Sequence, residues 1–301
     1  MKKTLLSVII ILPLVLFSCE DDNIILDPNA TIGTTNGNNN GNNNGNNGNG
    51  TTTTPGTGSN TSSKCYLSQI NSDGIFQTTV TKYVYNAKNL LESIEDEDYK
   101  TVLEYDANAR VTKMTIKADN GTETLTYEYD AKGVMKKAKY QSTNTNISTP
   151  FNEFNFSTNA KGQIDKVEAV SDDFPITYYI EYDASGANIT KILLDAGNSK
   201  ETVLENTKFD DKNNAYAYTG LSKSYLPLVI TGTMFGSNLT YTFNKNNILS
   251  DSVLGFLSDK MEPGTFTYEY TNEGFPSKIT SVRKSSDEEL KEVQKFTYNC
   301  K

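Results

Sequence analysis

The chain has 301 residues, an acidic balance (net charge −9, pI about 4.8) and neither histidine nor tryptophan. That balance argues against nucleic acid as a partner, because phosphate backbones are held by clustered lysine and arginine. The missing histidine removes histidine-based triads, histidine general bases and most zinc sites.

The N-terminus reads as an address. Lys2 and Lys3 precede an apolar run over residues 5–16. The run is too short to span a bilayer as a mature helix and has the form of a signal-peptide core. It closes on Leu16-Phe17-Ser18-Cys19, which resembles the lipobox of bacterial lipoproteins. The resemblance implies a signal peptide over residues 1–18, cleavage before Cys19, acylation of that cysteine with a chain such as palmitate, and attachment to a membrane through the lipid. Glu20, Asp21 and Asp22 follow. They resemble the surface-export signal of lipoproteins from Gram-negative commensals, which implies a lipid-anchored protein on the outer face of the outer membrane.

Residues 19–63 are rich in Asn, Gly and Thr and bury too little apolar surface to offset their ordering entropy. A flexible tether is expected, spanning roughly 35–40 Å as a random coil. Cys65 then opens the remaining region and Cys300 is the penultimate residue. In an exported chain a disulfide between them is favoured over two buried free thiols.

From residue 64 onward one phrase recurs. Tyr105-Asp106-Ala107-Asn108-Ala109 returns as Tyr129-Asp130-Ala131-Lys132-Gly133 and Tyr182-Asp183-Ala184-Ser185-Gly186. Aromatic pairs two residues apart precede the turns, as in Tyr83/Tyr85, Tyr127/Tyr129, Phe154/Phe156, Tyr241/Phe243, Tyr268/Tyr270 and Phe296/Tyr298. That spacing puts both rings on one face of a strand. The Asp or Asn that follows can bond its own backbone ahead, and Gly, or Asn at 89 and 247, supplies a left-handed residue. Ala109 occupies that slot too, so it bears strain of about 1 kcal/mol or the turn takes another shape. The return strands place apolar residues three apart, as in Leu91 and Ile94, Val111 and Met114, and Ile164 and Val167. That odd spacing requires a bulge between them or burial of both faces.

The expected fold is all-β: an antiparallel up-and-down meander of hairpin repeats over residues 64–301, with about sixteen or seventeen strands. It would be rolled into a barrel-like or spiral sheet to hide its apolar face and edges. The phrase resembles the tyrosine-aspartate (YD) repeat of Rhs-type proteins, which build hollow β-shells. In size and layout the chain is similar to a family of secreted lipoproteins of unknown function with a porin-like fold. This resemblance implies a barrel-like meander and no particular activity. A membrane-spanning barrel is disfavoured, because the strands are short and one face carries Glu, Lys and Thr.

The repeat fails between residues 215 and 238. Tyr216, Tyr218, Tyr225, Leu226 and Pro227 form a candidate ligand loop, as a lid or plug. The plainer alternative is a helix or loop capping one barrel end. Acidic runs at 95–98, 172–173 and 287–289 read as solvated loops. No EF-hand spacing is present, and no cofactor or metal is expected. Asp251-Ser252-Val253 resembles the O-glycosylation acceptor of some surface proteins of anaerobes. The sequence therefore points to a monomeric, surface-tethered lipoprotein with a non-catalytic binding or scaffolding role. Its ligand would be a glycan, a small apolar or lipid-like molecule, or a host protein. The alternatives are a carboxylate-based glycan hydrolase and a purely structural envelope protein.

Overall fold

The computed structural model describes residues 64–301 apart from 75–76, 145–148, 172–174, 196, 198, 222, 256–259 and 286–287. The signal peptide, Cys19 and the tether lie outside the described residues, as do Asp172, Asp173 and Asp287.

Among the described residues, sixteen strands follow one another. They are β1 (Cys65–Asp73), β2 (Thr78–Tyr85), β3 (Leu91–Glu95), β4 (Tyr99–Tyr105), β5 (Val111–Ala118), β6 (Gly121–Tyr129), β7 (Met135–Ser142) and β8 (Glu153–Thr158). The second half comprises β9 (Ile164–Val170), β10 (Pro175–Tyr182), β11 (Ile189–Asp195), β12 (Lys200–Phe209), β13 (Ile248–Leu254), β14 (Met261–Tyr270), β15 (Pro276–Ser285) and β16 (Glu288–Cys300). Each strand pairs antiparallel with its sequence neighbours, and β1 pairs with β16, so the meander closes into a barrel. Closure leaves no edge strand to be protected.

The recurring phrase builds one end of the barrel. After β6, the Asp130 N–H donates to the Val134 carbonyl at 2.9 Å, and Asp130 Oδ1 accepts from the N–H groups of Lys132 and Val134. Gly133 takes the left-handed conformation, with φ 82°. Asn86, Asp106 and Asn159 organise the turns after β2, β4 and β8 in the same way. Ala109 adopts φ 62° and Asn89 φ 59°, so the alanine does carry the left-handed strain.

A bulge follows each of these turns. Glu104 faces Lys113 while Tyr105 faces Val111, leaving Thr112 as the extra residue. The same slip occurs between β2 and β3, β6 and β7, β8 and β9, β10 and β11, and β14 and β15. It lets Val111 and Met114, three apart, both face the core. The repeat tyrosines stitch neighbouring units together. The hydroxyls of Tyr105, Tyr129, Tyr182 and Tyr298 donate to the carbonyls of Leu91, Val111, Ile164 and Pro276 at 2.7–2.8 Å. Each acceptor opens its strand.

The seam between β16 and β1 imitates a repeat. Tyr298 faces Leu67 while Thr297 faces Gln69, so Ser68 is the extra residue. Its hydroxyl donates to the Thr297 carbonyl at 2.9 Å, as Thr112 does to Glu104 at 3.2 Å. Where other units have a turn, Cys65 and Cys300 are joined by a disulfide.

The barrel wall is apolar inside and polar outside. Along β6, Glu123, Leu125 and Tyr127 are buried, while the alternate residues Thr122, Thr124, Thr126 and Glu128 face outward. Cross-strand ion pairs such as Lys113–Glu104, Lys139–Glu128 and Lys278–Glu269 line the outer wall. Among the described residues the exposed large hydrophobics are Val80 and Val84. A bilayer-spanning barrel needs an outward apolar band with aromatic girdles. This wall has the opposite polarity.

Candidate functional site

The β12–β13 connection keeps the chemistry of a repeat turn but opens it. The Asp210 N–H donates to the Asn247 carbonyl at 3.0 Å, and Asp210 Oδ1 accepts from the N–H groups of Lys212 and Asn247, both at 3.0 Å. Residues 213–246 are therefore inserted where other units carry a single left-handed residue. Tyr270 donates its hydroxyl to the second oxygen of Asp210 and helps lock this neck.

The insertion runs into the barrel. Its helix, α1 (Leu226–Met234), is buried at Leu226 through Thr233, as expected for a helix surrounded on every side. Pro227 sits in the first turn, where a missing N–H costs nothing. Thr231 and Thr233 satisfy their hydroxyls on the carbonyls of Pro227 and Ile230, at 2.9 and 2.7 Å. The wall grips this plug from several sides. Tyr127 donates to the Ser224 carbonyl at 2.6 Å, the Thr231 and Thr149 hydroxyls bond to each other at 3.2 Å, and Asn206 donates to Thr240 at 2.7 Å.

Two expectations are corrected here. Tyr241 and Phe243 do not head a strand, because residues 240–242 form a 3-10 turn within the plug. Asn247 is not left-handed; among the described residues the non-glycine positions with positive φ are Asn89 and Ala109. The reason is common to both. The Asp210–Asn247 neck closes the hairpin early, so the chain between them leaves the ladder and makes its bonds inside. Nor does the segment cap a barrel end, since it fills the interior.

The plug shares one apolar core with the wall, where Leu91, Ile94, Met114, Phe154, Val167 and Ile192 are fully buried. On the β13–β16 side it leaves a cavity of about 190 Å³. From the plug, Asn214, Tyr216, Ser237, Asn238, Leu239 and Tyr241 line this cavity. From the wall come Phe266, Tyr268, Ile279, Ser281, Arg283, Glu292 and Gln294.

Two carboxylates stand here in different environments. Asp251 is 0% exposed and accepts from Arg283 Nη2 with both oxygens at 2.8 Å, while Arg283 is 20% exposed. Asn238 adds a third bond to Asp251 at 2.6 Å, and Arg283 Nη1 donates to the Glu262 carbonyl at 2.8 Å. Gly264 makes room for the pair, since a Cβ there would run into the Asp251 carboxylate and the Arg283 guanidinium. Glu292 is half-buried and accepts from Gln294 Nε2 at 3.0 Å. Burial pushes its carboxyl above the usual carboxylate range. Burial also raises Tyr216 and Tyr241, and the nearby charge of Glu292 adds to both shifts.

Of the candidate loop residues, Tyr216 lines the cavity, with its ring 5.9 Å from that of Tyr241. Tyr225, Leu226 and Pro227 are buried in the plug and do not line it. Tyr218 is half-buried near Tyr66 and Phe275, with Lys64 Nζ 5.9 Å from its ring. Sequence reasoning missed Arg283, Glu292 and Gln294, which stand on regular strands. The readable signal was a charge in an inward slot, and that needed the β15–β16 register to decode. A shallower hollow of about 320 Å³ lies at the turn end, beside Tyr66, Tyr85, Asn86, Asn89, Asn299 and Lys301. The Asp251-Ser252-Val253 triplet falls within β13, with Asp251 turned inward.

No family model matches the chain, and no curated protein does. Among solved structures, it is similar to a porin-like protein from Bacteroides uniformis ATCC 8492, at 13% identity and TM-score 0.48, covering 77% of this chain and 96% of that one. A porin-like protein from Bacteroides vulgatus ATCC 8482 matches at 11% identity and TM-score 0.46, covering 78% and 99% respectively. A chain of the TcdB2-TccC3-Cdc42 structure matches at 14% identity and TM-score 0.33, covering 76% of this chain and 13% of that one.

Proposed function

We propose that this protein is a lipid-anchored binding protein of the outer membrane surface of a Gram-negative bacterium, and that it acts without catalysis. The cavity beside the plug is the observation that carries the binding reading. Well-packed interiors leave few voids larger than a water molecule, and this one is lined by polar and aromatic groups of both plug and wall. The anchoring reading rests on Lys2, Lys3, the apolar run at 5–16 and the lipobox-like Leu16-Phe17-Ser18-Cys19. A polar outer wall supports a barrel that stands in water and relies on the lipid for attachment. The hydrolase alternative is weakened by the pairing of Asp251 with Arg283, which leaves Glu292 without a second free carboxylate among the cavity-lining residues.

Native mass spectrometry of residues 64–301, exported and purified without detergent, tests the binding reading. A mass excess that disappears on denaturation is expected. A bare mass, together with no binding from a small-molecule panel, would instead favour a purely structural role.

A further inference from the structure

Resting on that reading, we propose that the cavity selects a compact organic cation, an ammonium compound about the size of choline, with Glu292 as its counter-ion. The charge arrangement carries the inference. The charged residues that line the cavity are Arg283 and Glu292. Arg283 is already engaged, with Nη2 on both oxygens of Asp251 and Nη1 on the Glu262 carbonyl. Glu292 is met by neutral groups, the Gln294 amide and the Ser72 hydroxyl, and no ion pair forms at Glu292 among the described residues. A carboxylate partly withdrawn from water without a cation carries a desolvation cost. A glutamine would fill the same space without that cost, so the position favours a function for the charge.

The surroundings suit an ammonium group in particular. Tyr216, Tyr241, Phe266 and Tyr268 bring aromatic rings to the same cavity, and ring faces attract ammonium groups. Ser281 and Gln294 add hydrogen-bond acceptors. A volume of about 190 Å³ is ample for a compact molecule of choline's size.

Calorimetric titration of the full mature protein in mild detergent, with choline and its uncharged isostere 3,3-dimethyl-1-butanol, decides the matter. Choline should bind at least about tenfold more tightly than the alcohol, and Glu292→Gln should reduce that preference to the part the rings supply while leaving the thermal melt cooperative. If the glutamine variant does not fold, Ser281→Phe serves instead, because it fills the cavity from β15 and should block choline with Glu292 intact. Equal affinity for the two probes, or a preference undiminished in Glu292→Gln, overturns the proposal. A neutral molecule found in the cavity by native mass spectrometry overturns it too, yet leaves the binding reading standing. No binding of either probe and an empty cavity remove both.

Discussion

At the scale of single residues, the interior separates two carboxylates by the company they keep. Asp251 is held by a guanidinium and an amide, whereas Glu292 meets only neutral groups, the Gln294 amide and the Ser72 hydroxyl. Burial raises the Glu292 pKa, so the folded state binds this proton more tightly than the unfolded chain does. Stability from this group is therefore fully present below the ordinary carboxylate pKa and is lost as pH rises through the raised value. Glu292→Gln should leave urea stability unchanged near pH 4 and raise it at pH 8; parallel curves at both values would contradict this account. Arg283→Met should do the reverse at neutral pH, because it leaves a fully buried carboxylate unpaired. A loss of about 3 kcal/mol is expected in chemical denaturation, most of it recovered in the Asp251→Asn/Arg283→Met double variant. Gly264→Ala should cost a comparable amount by pushing the same two groups apart.

At the scale of elements, the molecule repeats one device and then breaks it once. The Tyr-Asp turn was legible because its chemistry is local: an acceptor two and four residues behind the donors, then a left-handed residue. The bulge was legible as a requirement, since Val111 and Met114 cannot share a face without one. The plug was legible only as a failure of the pattern. That Leu226–Thr233 is buried on all sides depends on a ring of distant strands, and no local signal carries that. Tyr241 and Phe243 misled because they copy the strand spacing while the neck at Asp210 removes them from the sheet. Two substitutions probe this scale. Ala109→Gly should stabilise the protein by about 1 kcal/mol by relieving the positive φ, as read from a thermal melt. Asp210→Ala should speed amide hydrogen exchange across residues 213–246, whereas Asp130→Ala should act only on its own hairpin; equal, local effects would show that the neck does not secure the plug.

At the scale of the whole molecule, the barrel turns its polar face to the surroundings and its apolar face to its own inserted segment. Its sixteen strands thus close around a filled interior with polar groups outermost. The disulfide spans a sequence separation of 235 residues and should contribute about 5 kcal/mol through the unfolded chain. The Cys65→Ser/Cys300→Ser pair should lose that much in denaturant titration while β1 and β16 remain paired, since their ladder does not need the bond. The seam also has a meaning for the order of the chain. The Ser68 bulge and its hydroxyl bridge lie on β1 and the Tyr298 stitch on β16, the places they take around an ordinary turn, with two sulfur atoms in place of peptide bonds. Taken as a cycle, the molecule has no privileged beginning. Circular permutants cut at residue 132 or 161, with 301 spliced to 64, should close the same barrel.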